Sequence, residues 1–453
     1  MWCKCQLDYL CTLLNDAERR EALKHLPRDL PATYIRTLER LERDYPPQTT
    51  GLIRKALNWL VLQQEDSGYR SHLTLPRLVH AVSLGNEAFL DYGRIPDERD
   101  LVDWCSSLVR LNKKTHRLEL SHFTVKEFLL EEPKRISSEI ARQYLVDPSA
   151  DMAYLADTYL LYLALEDFDQ TRVIMEQRTF DDFTTNYAFY AHAALQFTKY
   201  LALVGPDPGD SIAYRRFFSM RTPGILATWK SFLKAPDIPS YQLKDISNDQ
   251  MWFSTPYLRE GYSDEKARFV HSAHNSWTAL QLSSALLLST TTNRLLEEDA
   301  TLIETDEYPA SPLHLCIAGP FHLSHCHHGW NRVGPIGKGG VSQDIIAEQG
   351  SRRFAIVNSL LLAGAKANKL SQAGYPLYKG GSLPLTPFCV AILHLHEDLC
   401  KLLIDCGGTW SANLGSDYSM IYSVMTSIHQ SNGDLSKLNR TLDLLLSLPE
   451  LGD

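Results

Sequence analysis

Apolar residues recur at three- and four-residue steps along most of the chain. Near the start, Leu7, Leu10, Leu13 and Leu14 form one stripe and Tyr34, Leu38 and Leu41 another. That spacing predicts two helices within residues 3–44. Leu26-Pro27-Arg28-Asp29-Leu30-Pro31 breaks them apart, and Asp29 or Leu30 precedes Pro31 at the second helix start. Over 51–130 the pattern predicts a helix on Ile53, Ala56, Leu57, Leu60 and Val61. A second begins at Leu75-Pro76 with Thr74 as its cap, and a third carries Leu101, Val102, Cys105 and Leu108. Leu108-Val109-Arg110-Leu111 and His116-Arg117-Leu118-Glu119-Leu120 flank the polar turn Asn112-Lys113-Lys114-Thr115 and predict a hairpin. A closing helix follows from Thr124 to Leu130. This is the element order of a winged-helix-type domain. Residues 131–275 read as mainly helical, an αα connector. Tyr154, Leu155, Thr158, Leu161, Tyr162 and Leu165 make an apolar stripe of core type.

The last third is organised by a repeat. Ser311-Pro312-Leu313-His314-Leu315-Cys316-Ile317-Ala318 combines a small hydroxyl residue at a helix cap, proline at the first helical position and an inward leucine. A degraded copy, Thr278-Ala279-Leu280-Gln281-Leu282, stands 33 residues earlier. A good copy, Thr386-Pro387-Phe388-Cys389-Val390-Ala391, stands 75 residues later, and a weak one begins at Ser419, a further 33 on. Second-helix endings rich in leucine, with glycine where the chain turns left-handed, occur at Leu360-Leu361-Leu362-Ala363-Gly364 and Leu402-Leu403-Ile404-Asp405-Cys406-Gly407. Leu295-Leu296-Glu297-Glu298 is a weaker ending. The octet and its period resemble the T-P-L-H-x-A signature of ankyrin repeats. The expected architecture is therefore mainly α, ending in an ankyrin-repeat solenoid of about four irregular units over 276–453. Helix pairs are expected to begin near 278, 311, 386 and 419, with an insertion at about 319–352 looping out. The other expected segments are a helical one at 1–50, a winged-helix-like domain at 51–135 and the connector at 136–275.

Composition adds exclusions. The net charge is −9, which gives no general footprint for nucleic acid or membrane. Residues 51–130 carry 11 Lys and Arg against 10 Asp and Glu, and only the hairpin tip is basic, so DNA reading by the winged helix is the lesser alternative. The nine cysteines are scattered, and Met1-Trp2-Cys3-Lys4-Cys5 lacks the long apolar run of a secretory leader; they are expected to be reduced thiols of a cytoplasmic or nuclear protein. His322, His325, Cys326, His327 and His328 offer metal-ligand chemistry. Structural zinc sites draw on two separated pairs, so the expectation there is a loop without metal, and a zinc-dependent enzyme is a further alternative. No nucleophile–base pairing stands out. The expectation is a non-catalytic protein with no cofactor.

A second resemblance covers residues 1–130. Cys5-Gln6-Leu7-Asp8-Tyr9-Leu10, Ala22-Leu23-Lys24-His25-Leu26-Pro27-Arg28-Asp29-Leu30, Ala56-Leu57-Asn58-Trp59-Leu60 and Ser121-His122-Phe123-Thr124-Val125-Lys126-Glu127-Phe128-Leu129 occur in that order. Together they are similar to the region following the nucleotide-binding core of fungal NACHT-type, NLR-like signalling proteins, many of which carry C-terminal ankyrin repeats. The nucleotide-binding core of that family would lie ahead of these segments. It is not among these residues, and the expectation is natural loss or a late gene start. The nearest approach to a P-loop, Gly334-Pro335-Ile336-Gly337-Lys338-Gly339, has Arg332 where the first glycine belongs and Gly339 where the Mg²⁺-binding hydroxyl belongs. This chain alone is thus expected to hold no nucleotide. The resemblance implies that His122 would contact ADP phosphates if a core were supplied, and otherwise would cap or pack the hairpin–helix junction. It also implies an interaction protein that binds protein partners through its repeats. Tyr308 and Tyr375, at expected inter-repeat tips, are the candidate protein-binding anchors.

Overall fold

The computed structural model describes residues 2–11, 13–27, 29–62, 73–169, 183–203, 211–219, 223–234, 278–304, 311–319, 343–371, 375–376, 382–383, 385–393, 396–408, 440 and 443. These are mainly helical, with two short antiparallel hairpins. The chain divides into two compact units. One holds residues 1–162 and 182–193, the other 163–181 and 194–453.

The first unit begins with three helices rather than the two expected, α1 (Trp2–Cys11), α2 (Asp16–Lys24) and α3 (Leu30–Asp44). The break falls at Asn15. Its side chain accepts from the Glu18 amide at 2.9 Å, and the Glu18 carboxylate returns to the Leu14 amide at 3.1 Å. This reciprocal cap starts a new helix where the leucine stripe alone suggested a continuous one. Helix α2 buries nothing, and Leu14 is 90% exposed. Asp29 caps α3 through the Ala32 amide, as Pro31 foretold.

Then come α4 (Pro47–Leu62), α5 (Leu75–Ser83) and α6 (Glu98–Cys105), strands β1 (Val109–Asn112) and β2 (Arg117–Leu120), and α7 (Phe123–Leu129). The order is the one expected. Val109 faces Leu120 and Asn112 faces Arg117 across the hairpin. Thr74 holds the cap position of α5 but makes no side-chain cap bond. The core is formed by Leu38, Ile53, Leu57, Val79, Leu101 and Val125, all buried. After α8 (Glu139–Arg142), helix α9 (Pro148–Leu163) is buried on every side from Thr158 onward. An aromatic cluster fixes it. Trp59 meets Tyr159 edge-on at 5.0 Å, and Phe189 stacks on Tyr159 at 5.3 Å. The Tyr159 hydroxyl lies 3.0 Å from His192 Nε2.

Helices α10 (Tyr190–Leu203), α11 (Ile212–Phe217) and α12 (Pro223–Lys234) follow. In the second unit, Trp229 Nε1 donates to the Ala194 carbonyl at 3.1 Å, and the Thr228 hydroxyl to that of Phe168 at 2.6 Å.

The rest of this unit is a double row. Helices α13 (Ala279–Ala285), α15 (Pro312–Ala318) and α17 (Pro387–Leu393) pack side by side in that order. Helices α14 (Ser289–Glu298), α16 (Gln343–Leu362) and α18 (Glu397–Asp405) form the second row, each against its partner in the first. The starts stand 33 and 75 residues apart, at the places read from the repeat. The expected start near 419 lies outside the described residues. One boundary differs. Residues 319–352 were expected to loop out, yet the chain is helical from Gln343. Gln349, Arg352 and Arg353 occupy the inward positions of this helix, one to two turns before Ile356, Val357 and Leu360. Polar residues on the buried face masked its period. The first-row helices are enclosed. Every residue of α13 and α15 is buried, as is α17 from Pro387 to Ile392. Their sequences are mostly apolar, their few polar side chains (Gln281, Ser283, Ser284 and His314) are buried with the rest, and such helices are stable only when covered all round. Their exteriors do not form an open face.

Candidate functional site

The joint between α15 and α17 is the most fully built polar feature of the double row. Ser311 stands at the cap position of α15, but its hydroxyl bonds no first-turn amide. It lies 2.6 Å from Nδ1 of His314 instead. The other ring nitrogen, Nε2, is 2.8 Å from the Leu385 carbonyl, 71 residues on. A carbonyl only accepts, so Nε2 carries the proton and Nδ1 accepts from Ser311. His314 is wholly buried, and burial pushes its pKa from the ordinary 6.5 down to about 4. The imidazole is therefore a neutral, two-ended strut.

Around it the chain is tied in register. Ser371 donates its amide to the Leu385 carbonyl at 2.9 Å and accepts the Leu385 amide on its hydroxyl at 3.0 Å. Thr386 caps α17 by accepting the Cys389 amide. Thr278 and Gln281 form a reciprocal capping box on α13. Asn368 Nδ2 donates to the Gly407 carbonyl at 2.6 Å and links two successive second-helix ends. Gly364 and Gly407 have φ of +104° and +82°, the left-handed backbone expected after those helices.

On the opposite side of α15, Arg353 donates Nε to the Cys316 carbonyl at 3.3 Å, and the Cys316 thiol points to the Arg353 carbonyl at 3.7 Å. Burial raises the Cys316 thiol pKa to about 12, so it is inert as a nucleophile. Two buried arginines in one helix were not anticipated as functional residues. The signal was the inward period of α16, continued backward from Leu360.

His122 sits at the hairpin–helix junction as the cap of α7. Its Nδ1 accepts the Thr124 amide at 3.3 Å and lies 2.9 Å from the Thr124 hydroxyl, which in turn is 2.7 Å from the Tyr34 hydroxyl. The ring rests on exposed Phe123 at 4.4 Å. The ring nitrogen in these contacts is thus committed to the fold. Tyr375 belongs to strand β3 (Tyr375–Pro376), paired with β4 (Ser382–Leu383). Tyr308 and the histidines at 322–328 lie outside the described residues. Among the described residues no group of His, Cys, Asp or Glu is placed to hold a metal ion, and no helix is long and apolar enough to cross a membrane. At the hairpin, Arg110 pairs across the strands with Glu119 at 3.0 Å, which takes up part of the basic tip.

Searches of protein families, of curated proteins and of solved structures find no match to the chain.

Proposed function

We propose that this chain is a non-catalytic interaction scaffold of NLR-like type, with a winged-helix-type domain in its first unit and ankyrin-like helix pairs that hold a protein partner. The observation that carries the reading is the His314 strut. It ties the first helix of one pair to Leu385, just ahead of the Thr386 cap of the first helix of the next, inside a double row spaced by the repeat. Repeat scaffolds bury their faces against neighbours and work through the surface that stacking leaves over. Here the first-row exteriors are buried, so the working surface is assigned to the second-row exteriors and the tips. On α16 these include the uncharged Ser351, Phe354, Ala355, Asn358 and Leu362. Tyr375 and Tyr308 remain the tip anchors of the proposal.

The test is cross-linking mass spectrometry on the full chain with captured partners, beside a Tyr308→Ala, Tyr375→Ala double variant. Cross-links concentrated in 276–453, and partners lost from a variant that melts like the parent, support the scaffold. Partners cross-linked only to residues 1–275 overturn it.

A further inference from the structure

Two serines lie side by side between α7 and α8, behind a pair of cations. The chain there reads Pro133-Lys134-Arg135-Ile136-Ser137-Ser138. Pro133 to Arg135 make one 3₁₀ turn, and the backbone is extended at Ile136 and again at Ser138. The Lys134 and Arg135 side chains are 80% and 65% exposed. Lys134 pairs with Glu132 at 2.9 Å and Arg135 with Glu131 at 3.1 Å. Solvent-exposed pairs of this kind are worth little, so both cations exchange readily onto other carboxylates.

The two hydroxyls are not equivalent. Ser138 is engaged. It donates to the Glu39 carboxylate of α3 at 2.6 Å and accepts the Ala141 amide at 3.3 Å. A phosphate on Ser138 would set an anion against Glu39, which like-charge repulsion opposes. Ser137 is exposed, and among the described residues its hydroxyl has no hydrogen-bond partner. Arg142 Nε donates to the Ile136 carbonyl at 2.8 Å, and the Ile136 side chain is buried. The segment is thus held from beneath while Ser137 stays on the surface.

A protein kinase that selects by charge offers carboxylates to cations ahead of its acceptor. Cations three and two residues before an exposed hydroxyl complement such a cleft. A similar order of charges precedes Ser219, in Arg215-Arg216-Phe217-Phe218-Ser219. There Phe217 and Phe218 are wholly buried and tie the segment into its core. Between Pro133 and Ser137 only Ile136 is buried.

We propose that Ser137 is a phosphorylation site for a serine kinase directed by basic residues. In the transfer, Ser137 Oγ attacks the γ-phosphorus of ATP. The Oγ–P bond forms, the bond from that phosphorus to the bridging oxygen of the departing ADP breaks, and the hydroxyl proton passes to a carboxylate of the kinase.

The experiment uses the full purified chain. It is incubated with Mg²⁺-ATP and the catalytic subunit of cyclic-AMP-dependent protein kinase, and in parallel with an acid-directed casein-type kinase. Intact mass counts the phosphates and fragmentation places them. Phosphate on Ser137 is expected from the first kinase and not from the second. Ser137→Ala should remove it, and Ser138→Ala should keep it. Arg135→Gln changes an exposed side chain, so it should melt like the parent yet lower the initial rate on Ser137 about tenfold or more. No phosphate on Ser137 of the folded parent overturns the proposal. So does transfer to Ser138 or Ser219 in its place, equal modification by the acid-directed kinase, or an unchanged rate in Arg135→Gln.

Discussion

Acidification is predicted to open the joint at His314 before it reaches most of the double row. The perturbation is a fall from pH 7 to pH 5. In the unfolded chain this histidine takes a proton near 6.5. In the folded chain burial holds it to about 4. The opened state therefore binds more protons throughout that interval, and stability falls as pH falls. The contribution is whole above about 6.5 and is gone below about 4. The full interval of about 2.5 pH units corresponds to about 3 kcal/mol at about 1.4 kcal/mol per unit. By pH 5 about 2 kcal/mol of it is lost, a factor of roughly 30 in the opening equilibrium. The Lys369 charge acts in the same direction, since it disfavours a cation at His314. Hydrogen exchange of the amides in 312–318 and 387–392 reads this opening locally. After correction for intrinsic exchange, protection there should drop about 30-fold. His314→Gln removes the titrating group, so its protection, lower at pH 7, should change far less with pH. An equal drop in both proteins would refute the reasoning.

Two further outcomes concern the backbone. Gly319→Ala faces both the left-handed φ and the Arg353 guanidinium, and should destabilise by about 2 kcal/mol or more. Gly364→Ala meets only its φ, with open space at the Cβ, and should cost about 1 kcal/mol; thermal melts of the two variants give the order. Leu287 is a non-glycine residue at φ of +55° and fully buried. Glycine there relieves about 1–2 kcal/mol of strain but forfeits about 2–5 kcal/mol of burial and packing, so Leu287→Gly should lower the melting temperature.

The sequence by itself determined the class of structure and where its elements begin. The helix–hairpin–helix order of α4 to α7 was legible because its periods switch cleanly from helix to hairpin to helix, and Asn112 to Thr115 is a turn on composition alone. The starts at Thr278, Ser311 and Thr386 were legible because capping chemistry is local. A hydroxyl residue beside its own first turn needs no knowledge of the rest of the fold. The split at Asn15 was readable by the same logic, from the Asn15–Glu18 spacing, but the leucine stripe obscured it. What the tertiary structure decided is everything that depends on a distant neighbour. His314 finds its acceptor 71 residues away, and the choice of Ser311 hydroxyl as its second partner removes the expected helix cap. The apolar run of α15 showed that it is buried, but not that it lies in the inner row with no open face. Arg352 and Arg353 look like surface residues by type. Only the packing of α16 on α15 turns them inward, because burial is fixed by which face of a helix meets its neighbour, and a side chain's own polarity does not settle that.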